Sequence, residues 1–188
     1  LLGVTYSVTN QMTDALAAFQ KAIEINPQYG EAYNNLGNFW KCQGDLEQAV
    51  EWYQKAISIN PDDLQSYYRL GAVYYQQQNN QKAIRCYQEL LKRQPNHADS
   101  YYNLGTIYYH QKDLDQALTC YQKALDINPH YANAYNNLGA IWKEKEDYQQ
   151  ASQCYQKALD INPNHAQAYY NLGHICKQRK EVKQAVLY

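Results

Sequence analysis

Apolar and small side chains recur along this chain with helical spacing, and the whole pattern repeats every 34 residues. When residue 30 is counted as position 1 of a unit, positions 4, 7, 8 and 11 hold mainly tyrosine, leucine, glycine and an aromatic residue. These positions fall on one face of a helix. Positions 20, 24 and 27, which are rich in alanine and tyrosine, fall on one face of a second helix. The pattern therefore predicts two amphipathic helices, A and B, in every unit.

Short polar segments between these helices supply start and stop signals. Asp45, Asp113 and Asp147 are expected to cap helix B, and each has a glutamine three residues later, as in a capping box. The five prolines also keep the 34-residue spacing, from Pro27 to Pro163. Because the residue before a proline avoids the helical region, we expect helix B to end there.

This arrangement resembles the tetratricopeptide repeat family. The pattern aromatic-x2-Leu-Gly-x2-aromatic, followed by Ala, an aromatic residue, Ala and Pro, fits every complete unit, except that Leu90 stands in an alanine position. The resemblance implies an all-α fold, a right-handed superhelical solenoid of antiparallel helix pairs. We expect a single array over residues 1–188. Its complete repeats are residues 30–63, 64–97, 98–131 and 132–165, and its partial repeats are residues 1–29 and 166–188.

Charge and hydropathy argue against two classes of partner. The chain has 17 Lys and Arg against 18 Asp and Glu, a net charge of -1. Since phosphate binding needs clustered positive charge, we expect no nucleic acid and no anionic membrane as partner. No apolar run approaches the roughly 20 residues of a membrane span, and no signal-peptide pattern begins the sequence. Because the first residue is Leu1 rather than Met, we expect a longer parent polypeptide.

The cysteines do not indicate a disulfide framework or a metal site. Cys86, Cys120 and Cys154 lie one repeat apart, whereas a disulfide needs Cα atoms within roughly 4.4–6.8 Å. They indicate small buried residues in a reducing compartment, so we expect a cytoplasmic protein. No Cys-x2-Cys pair predicts zinc, and the repeat pattern brings no nucleophile, base and acid together. We expect no metal, no cofactor and no catalytic residue.

One face of helix A is poor in charge. It lies opposite the face formed by positions 4, 7, 8 and 11, which we call the packing stripe. It consists of positions 2, 5, 6, 9, 12 and 13, and we call it the groove face. Across five units it has 30 side chains, of which seven are charged, whereas the outward face of helix B carries 12 charged residues among 24 in the complete units. Binding surfaces are depleted in charge and enriched in tyrosine, so the groove face is the predicted site. The family resemblance implies that it lines a concave groove.

Position 6 is asparagine in four units, and we call Asn35, Asn103, Asn137 and Asn171 the ladder; Arg69 occupies this position in the remaining unit. An amide both donates and accepts, so the ladder is predicted to hold the backbone of an extended chain, and Arg69 to select an acidic group. The ladder resembles that of the O-linked N-acetylglucosamine transferases in repeat class and position only. The predicted groove residues are Asn35, Asn38, Tyr68, Arg69, Tyr75, Tyr102, Asn103, Tyr109, Asn136, Asn137, Tyr170 and Asn171.

The sequence leaves alternatives open. The ladder amides either contact a ligand or hydrogen-bond neighbouring helices and set the repeat geometry. The leading function is a non-catalytic module that binds a protein or peptide. The alternatives are a substrate-recruiting arm of a larger enzyme, such as a glycosyltransferase, and a scaffold that stacks end to end. The two-carboxylate clamp of chaperone-binding repeats is not expected, because Asn34, Asp99 and Asn103 stand where it needs Lys, Lys and Arg.

Overall fold

The computed structural model describes residues 12–178, which form ten α-helices and no strand. The helices are α1 (Met12–Ile25), α2 (Gly30–Cys42), α3 (Leu46–Ile59), α4 (Leu64–Gln76), α5 (Asn80–Arg93), α6 (Ala98–His110), α7 (Leu114–Ile127), α8 (Ala132–Glu144), α9 (Tyr148–Ile161) and α10 (Ala166–Gln178). The all-α prediction is confirmed. Helix A of the repeats corresponds to α2, α4, α6, α8 and α10. The predicted second helix of the last partial repeat lies outside the described residues.

The helices group into two compact units, residues 1–95 with α1–α5 and residues 96–188 with α6–α10. Within each unit, every helix packs against the next one along the chain, and α2–α3, α4–α5, α6–α7 and α8–α9 are the predicted helix pairs. None of the helices within residues 12–178 combines the length and the apolar character that a membrane crossing requires.

The predicted caps are present. The Oδ1 atoms of Asp45, Asp113 and Asp147 accept from the backbone N–H three residues later at 3.0, 3.1 and 3.0 Å. Two histidines cap helix A in the same way, because Nδ1 of His97 accepts from Ser100 N at 3.2 Å and Nδ1 of His165 accepts from Ala168 N at 3.3 Å. Each such bond satisfies one of the four backbone donors that a helix start leaves open.

A close contact between the two helices of each pair organises the core. The position-24 tyrosines, Tyr53, Tyr87, Tyr121 and Tyr155, are at most 1% exposed. Each ring lies directly against the position-8 glycine of its own repeat, and a Cβ atom on Gly105 would stand 2.7 Å from Cε1 of Tyr121. Glycine is therefore required by the lack of space for any side chain, and the predicted core role of position 24 is confirmed.

The buried surface of helix A is wider than the predicted stripe. Position 3, which is alanine or serine, is at most 1% exposed in all five units, and position 10, with residues such as Val73 and Ile107, is also buried. By contrast, the position-4 tyrosines, which belong to the face predicted to pack, are half-buried. Lysine side chains cover two of their rings, since Nζ of Lys123 lies 5.4 Å from the centroid of Tyr101 and Lys157 lies equally far from Tyr135. The long aliphatic stem of lysine suits this shielding position.

We predict that Gly105→Ala lowers the free energy of unfolding by about 1–3 kcal/mol, the usual cost of forcing extra volume into a packed core. The new methyl would displace the Tyr121 ring, which is fully buried. Urea unfolding followed by circular dichroism measures the change. Gly30→Ala is the matched control, because a Cβ there would meet its nearest neighbour at 3.7 Å. Gly30→Ala should instead raise the free energy of unfolding by up to about 1 kcal/mol, because alanine has the higher helix propensity. Equal effects of the two substitutions would contradict this account of the core.

The cysteines at position 23 make the core sensitive to alkaline conditions. Burial raises the pKa of Cys86 to about 12 and the pKa values of Cys120 and Cys154 to about 11. An unfolded thiol has a pKa of about 8.5. Between the unfolded and the folded pKa, the unfolded chain loses thiol protons that the folded chain keeps. The contribution of these thiols to the free energy of unfolding is therefore fully present below about pH 8.5 and is lost as the pH rises towards 11.

We therefore predict that the urea midpoint decreases between about pH 8 and about pH 11, over the window in which unfolded thiols ionise. The variant Cys86→Ala, Cys120→Ala, Cys154→Ala has lost these groups and should show a shallower decrease, whatever its stability at neutral pH. The same slope in both proteins would show that the thiols are not responsible.

Candidate functional site

In the unit of residues 96–188, the amides at positions 5 and 6 connect successive A helices. Nδ2 of Asn137 donates to the hydroxyls of Tyr102 and Tyr121 at 3.3 and 3.2 Å. One repeat further on, Nδ2 of Asn171 donates to Oδ1 of Asn136 at 3.2 Å. In both cases a position-6 amide donates to the position-5 side chain of the preceding repeat. Asn137 and Asn171 therefore hydrogen-bond neighbouring helices, which is one of the two alternatives that the sequence left open.

Two predicted groove residues have almost no accessible surface. Asn136 is 7% exposed and Asn171 is 6% exposed. Nδ2 of Asn136 also donates to Oδ1 of Asn137 at 3.3 Å, and Oδ1 of Asn171 accepts from Nε2 of Gln167 at 3.4 Å. The expectation that Asn136 and Asn171 lie open on the groove face is thus corrected. Each side chain makes one hydrogen bond to the neighbouring A helix and one within its own helix.

The groove-face tyrosines of this unit differ in accessibility. Tyr102 is half-buried and stacks on Tyr131, with ring centroids 4.9 Å apart. Tyr109 is half-buried and its hydroxyl donates to Glu144, which also forms an ion pair with Lys112 at 3.3 Å. These bonds lower the pKa of the Glu144 carboxyl. Tyr170 is 66% exposed, and ladder member Asn103 is half-buried. The accessible part of this face is therefore aromatic as well as polar.

In the unit of residues 1–95, a serine changes the hydrogen bonds of position 5. Asn34 is 6% exposed, and its Nδ2 donates to Oγ of Ser66 and to Oδ2 of Asp63 at 3.4 Å. Ser66 is fully buried and donates to the same Asp63 oxygen, while Asp63 caps α4. Asn34 is therefore held against the start of the next A helix rather than against its position-6 residue, Arg69.

Two of the buried tyrosine hydroxyls bond to residues of the groove face. The hydroxyl of Tyr53 donates to Oδ1 of Asn38 at 2.7 Å, and that of Tyr121 donates to Oγ1 of Thr106 at 3.1 Å. Burial raises the pKa of Tyr53 to about 12, while the charge of Arg69 acts in the opposite direction. The side-chain carbonyl of Asn38 is thus engaged by a core tyrosine.

A pocket of about 630 Å³ lies between the N-terminal halves of α2 and α4, beside the end of α3. Eight of its ten lining residues have polar or charged side chains; the ten are Gln28, Gly30, Glu31, Asn34, Asn35, Ile59, Asn60, Asp63, Gln65 and Arg69. Two of the predicted groove residues, Asn35 and Arg69, meet here. Both are half-buried, and neither forms a hydrogen bond or ion pair with the residues that the structure describes. The pocket therefore holds an amide and a guanidinium whose donors are available.

The other two predicted residues of this unit, Tyr68 and Tyr75, are half-buried on α4. The ring of Tyr68 lies 5.9 Å from that of Tyr87. Reasoning from sequence did not single out Gln65 or Asn60 as site residues. Gln65 stands at position 2, which belongs to the groove face, so its position was a usable signal. Asn60 follows helix B and could be assigned to the pocket only from the tertiary structure.

The fold, the repeat length and the comparison with known families agree. A tetratricopeptide repeat profile matches residues 62–130 and 96–164, and further profiles for the same repeat match residues 8–39, 42–78 and 154–186. The chain belongs to the tetratricopeptide repeat family. That membership supports a role as a protein–protein interaction module.

Several solved structures have a similar fold. The chain superposes on the crystal structure of MamA with a TM-score of 0.80 at 25% identity, covering 88% of this chain and 97% of that one. YrrB, described as a TPR protein with an unusual peptide-binding site, superposes with a TM-score of 0.74 at 25% identity, covering 89% and 87%. Pseudomonas aeruginosa PilF gives a TM-score of 0.87 at 21% identity over 100% of this chain and 85% of that one, which shows the fold alone.

One curated relative is an enzyme. A stretch of 50 residues, 27% of this chain, is 36% identical to a probable UDP-N-acetylglucosamine–peptide N-acetylglucosaminyltransferase, SEC, of Arabidopsis thaliana. The match spans 5% of that protein's length.

A buried asparagine with internal hydrogen bonds, such as Asn136, should respond to substitution differently from a half-buried asparagine in the pocket, such as Asn35. We predict that Asn136→Ala lowers the free energy of unfolding by about 1–3 kcal/mol, because it leaves the buried amide of Asn171 without its acceptor. Asn35→Ala should be neutral or stabilising by up to about 0.7 kcal/mol, because no internal bond is lost and alanine is the better helix former. Urea unfolding of the two variants measures both. A larger loss for Asn35→Ala than for Asn136→Ala would reverse the assignment.

Proposed function

We propose that this protein is a non-catalytic interaction module that binds an extended peptide segment of a partner protein on the groove face of its repeats. The observation that carries the proposal is the pocket between α2 and α4, where Asn35 and Arg69 are half-buried and their donors bond to none of residues 12–178. Accessible donors of this kind hydrogen-bond to water in the free protein, and a peptide carbonyl can take the place of that water.

The surroundings of the pocket support the same proposal. Amide side chains from Gln28, Asn60 and Gln65 line it beside Asn35, so a peptide would meet both donors and acceptors. The groove face carries few charges, as binding surfaces do. YrrB, whose fold is similar, is itself described as having a peptide-binding site.

On the unit of residues 96–188, we propose that binding uses the accessible tyrosines together with the half-buried ladder amides. Tyr170 is 66% exposed, and Asn103, Asn137, Tyr102 and Tyr109 are half-buried in the two preceding repeats. Tyrosine suits this role because it has a large apolar surface, a polar end and few rotamers to restrict.

A second candidate is the recruiting arm of a larger enzyme. The 36% identity to a peptide N-acetylglucosaminyltransferase over 50 residues favours this candidate, and peptide binding would then deliver a substrate. Sequencing the gene on both sides of the region encoding residues 1–188 tests it. A catalytic domain in the same reading frame would support it, whereas flanking sequence made only of further repeats would argue against it.

We predict that peptides selected on this protein from a random display library bind Asn35→Ala about fivefold more weakly than wild type, the effect of losing one hydrogen bond worth about 1 kcal/mol. Isothermal titration calorimetry measures the dissociation constants. Gln88→Ala is the matched control, because Gln88 is an exposed amide on α5, away from the groove face, and its loss should leave the affinity unchanged. Selected peptides that bind the two variants equally well would place binding elsewhere.

A further inference from the structure

Two helices in the unit of residues 1–95 expose charges of opposite sign. Both α3 and α5 pack against α4, and each presents its other side to solvent. The exposed face of α3 carries Glu47 and Glu51, whereas that of α5 carries Lys82 and Arg85. Over its whole length α3 has two glutamates and one lysine, a net charge of −1, and α5 has four Lys or Arg and one glutamate, a net charge of +3. The two faces are therefore electrostatically complementary.

These exposed charges are not neutralised within the described part of the chain. Glu47, Glu51 and Arg85 form no hydrogen bond or ion pair through their side chains with any of residues 12–178. Lys82 contacts an aromatic ring rather than a carboxylate, since its Nζ lies 5.2 Å from the centroid of Tyr74. Four charges of matching number and opposite sign thus remain open to a partner.

The charges in the C-terminal halves of the same helices are already engaged. Glu89 pairs with Lys92 at 2.5 Å and with Arg93 at 3.1 Å on its own helix. On α3, Nζ of Lys55 lies 4.3 Å from the centroid of the Trp52 ring. The unpaired carboxylates and the unpaired cations are therefore concentrated in the N-terminal halves of α3 and α5.

The 34-residue repeat places these charges in register. Glu51 and Arg85 both stand at position 22, while Glu47 stands at position 18 and Lys82 at position 19. As second helices of consecutive repeats, α3 and α5 run in the same direction. A two-fold axis parallel to both helices and midway between them lays α3 of one protomer over α5 of its partner. Glu51 then faces Arg85, Glu47 faces Lys82, and the symmetry makes each contact twice.

The surface of α3 also offers a recess for the arginine. A depression of about 310 Å³ is lined by Glu51, Gln54, Lys55 and Ser58, all on α3. The long, flexible side chain of Arg85 suits such a depression, and the carboxylate at its edge can accept two of the guanidinium N–H groups. Shape and charge on α3 therefore match a group that α5 of the same chain presents.

The face is small, so the expected complex is weak. Each helix has 14 residues, a length of about 21 Å. Interfaces below about 1,200 Å² are typical of weak and transient complexes, and charge complementarity there sets orientation and association rate more than affinity. The net charge of the chain, -1, adds little overall repulsion between two copies.

The unit of residues 96–188 lacks this complementarity. Position 22 holds the uncharged Thr119 on α7 and Gln153 on α9. The carboxylate at position 18 of α7, Asp115, is already paired with Lys145 at 2.6 Å. The same two-fold arrangement of α7 and α9 would therefore bring no opposite charges together.

We propose that the exposed faces of α3 and α5 form a self-complementary docking surface for a second copy of this chain, which yields a two-fold dimer held by Glu51–Arg85 and Glu47–Lys82 ion pairs. This inference goes beyond the proposed function and does not depend on it. The interface uses the second helix of each pair, whereas the groove face lies on the first, so both protomers keep their groove faces accessible.

Sedimentation equilibrium of the full chain tests the proposal. We expect the mass to rise from that of a monomer towards twice that value, and no further, between about 10 μM and about 1 mM, the range in which weak complexes dissociate. In about 1 M NaCl the Debye length is about 3 Å. The dissociation constant should there rise by about tenfold or more, because exposed ion pairs are screened.

Charge reversal supplies the protein side of the experiment. Glu51→Arg and Arg85→Glu should each weaken self-association by about tenfold or more, because like charges then meet at two contacts. Mixed in equal amounts, these two variants should associate with each other, since each offers the charge that its partner lacks. The double variant should regain the wild-type dissociation constant. Lys123→Glu reverses an exposed cation on α7 and is the matched control, which should dimerise like wild type. Circular dichroism confirms that each variant is folded.

The possible results decide between this dimer and other arrangements. A monomeric mass at every concentration would overturn the proposal, and a mass that grows beyond the dimer would assign head-to-tail stacking instead. A dimer unaffected by Glu51→Arg would place the interface elsewhere. A chain that stays monomeric but binds a polyglutamate peptide through Arg85 would assign α5 to an acidic partner, which also overturns the dimer. Peptide binding on the groove face is tested separately by Asn35→Ala, so either proposal can fail alone.

Discussion

The contact between the position-8 glycine and the position-24 tyrosine is the constraint on which the rest of each repeat depends. It brings the backbone of helix A directly against an aromatic ring of helix B, and it is present in all four complete repeats. In two of these repeats the tyrosine hydroxyl reaches residues of the groove face, because Tyr53 bonds to Asn38 and Tyr121 bonds to Thr106 and Asn137. There, one packing contact fixes the helix pair and also places a hydroxyl among the candidate site residues.

Much of the local structure could be predicted from the sequence because its causes are local. The aspartate caps and the helix ends before the Asn-Pro steps depend on a few adjacent residues, and the structure has them where the sequence indicates. The full width of the helix-A core could not be predicted in this way. Helix A packs against its own helix B and also against the adjacent repeat. Two partners bury a wider surface than one, so positions 3 and 10 are buried in addition to the predicted stripe.

The candidate site was harder to predict than the fold, because its hydrogen bonds depend on differences between repeats. Asn34 and Asn136 occupy the same position, and the sequence context around them is nearly identical. Asn34 finds the hydroxyl of Ser66 at position 3 of the next repeat, whereas Asn136 faces Ala168 at that position and pairs with Asn171 instead. A periodic pattern identifies the shared face, and only the tertiary contacts show which of its side chains remain available.

Repeats that share one backbone can therefore present different side chains at position 6. The backbone that presents position 6 is held by the glycine–tyrosine contact and the cap of helix A, neither of which involves the position-6 side chain. Exchanging an internally bonded amide for Arg69 leaves that framework unchanged, while Ser66 and Asp63 satisfy the neighbouring amide of Asn34. The internal bond between positions 5 and 6 is the cost of this exchange. Its loss is local, because each repeat keeps its own core, and the guanidinium of Arg69 lines the pocket between α2 and α4.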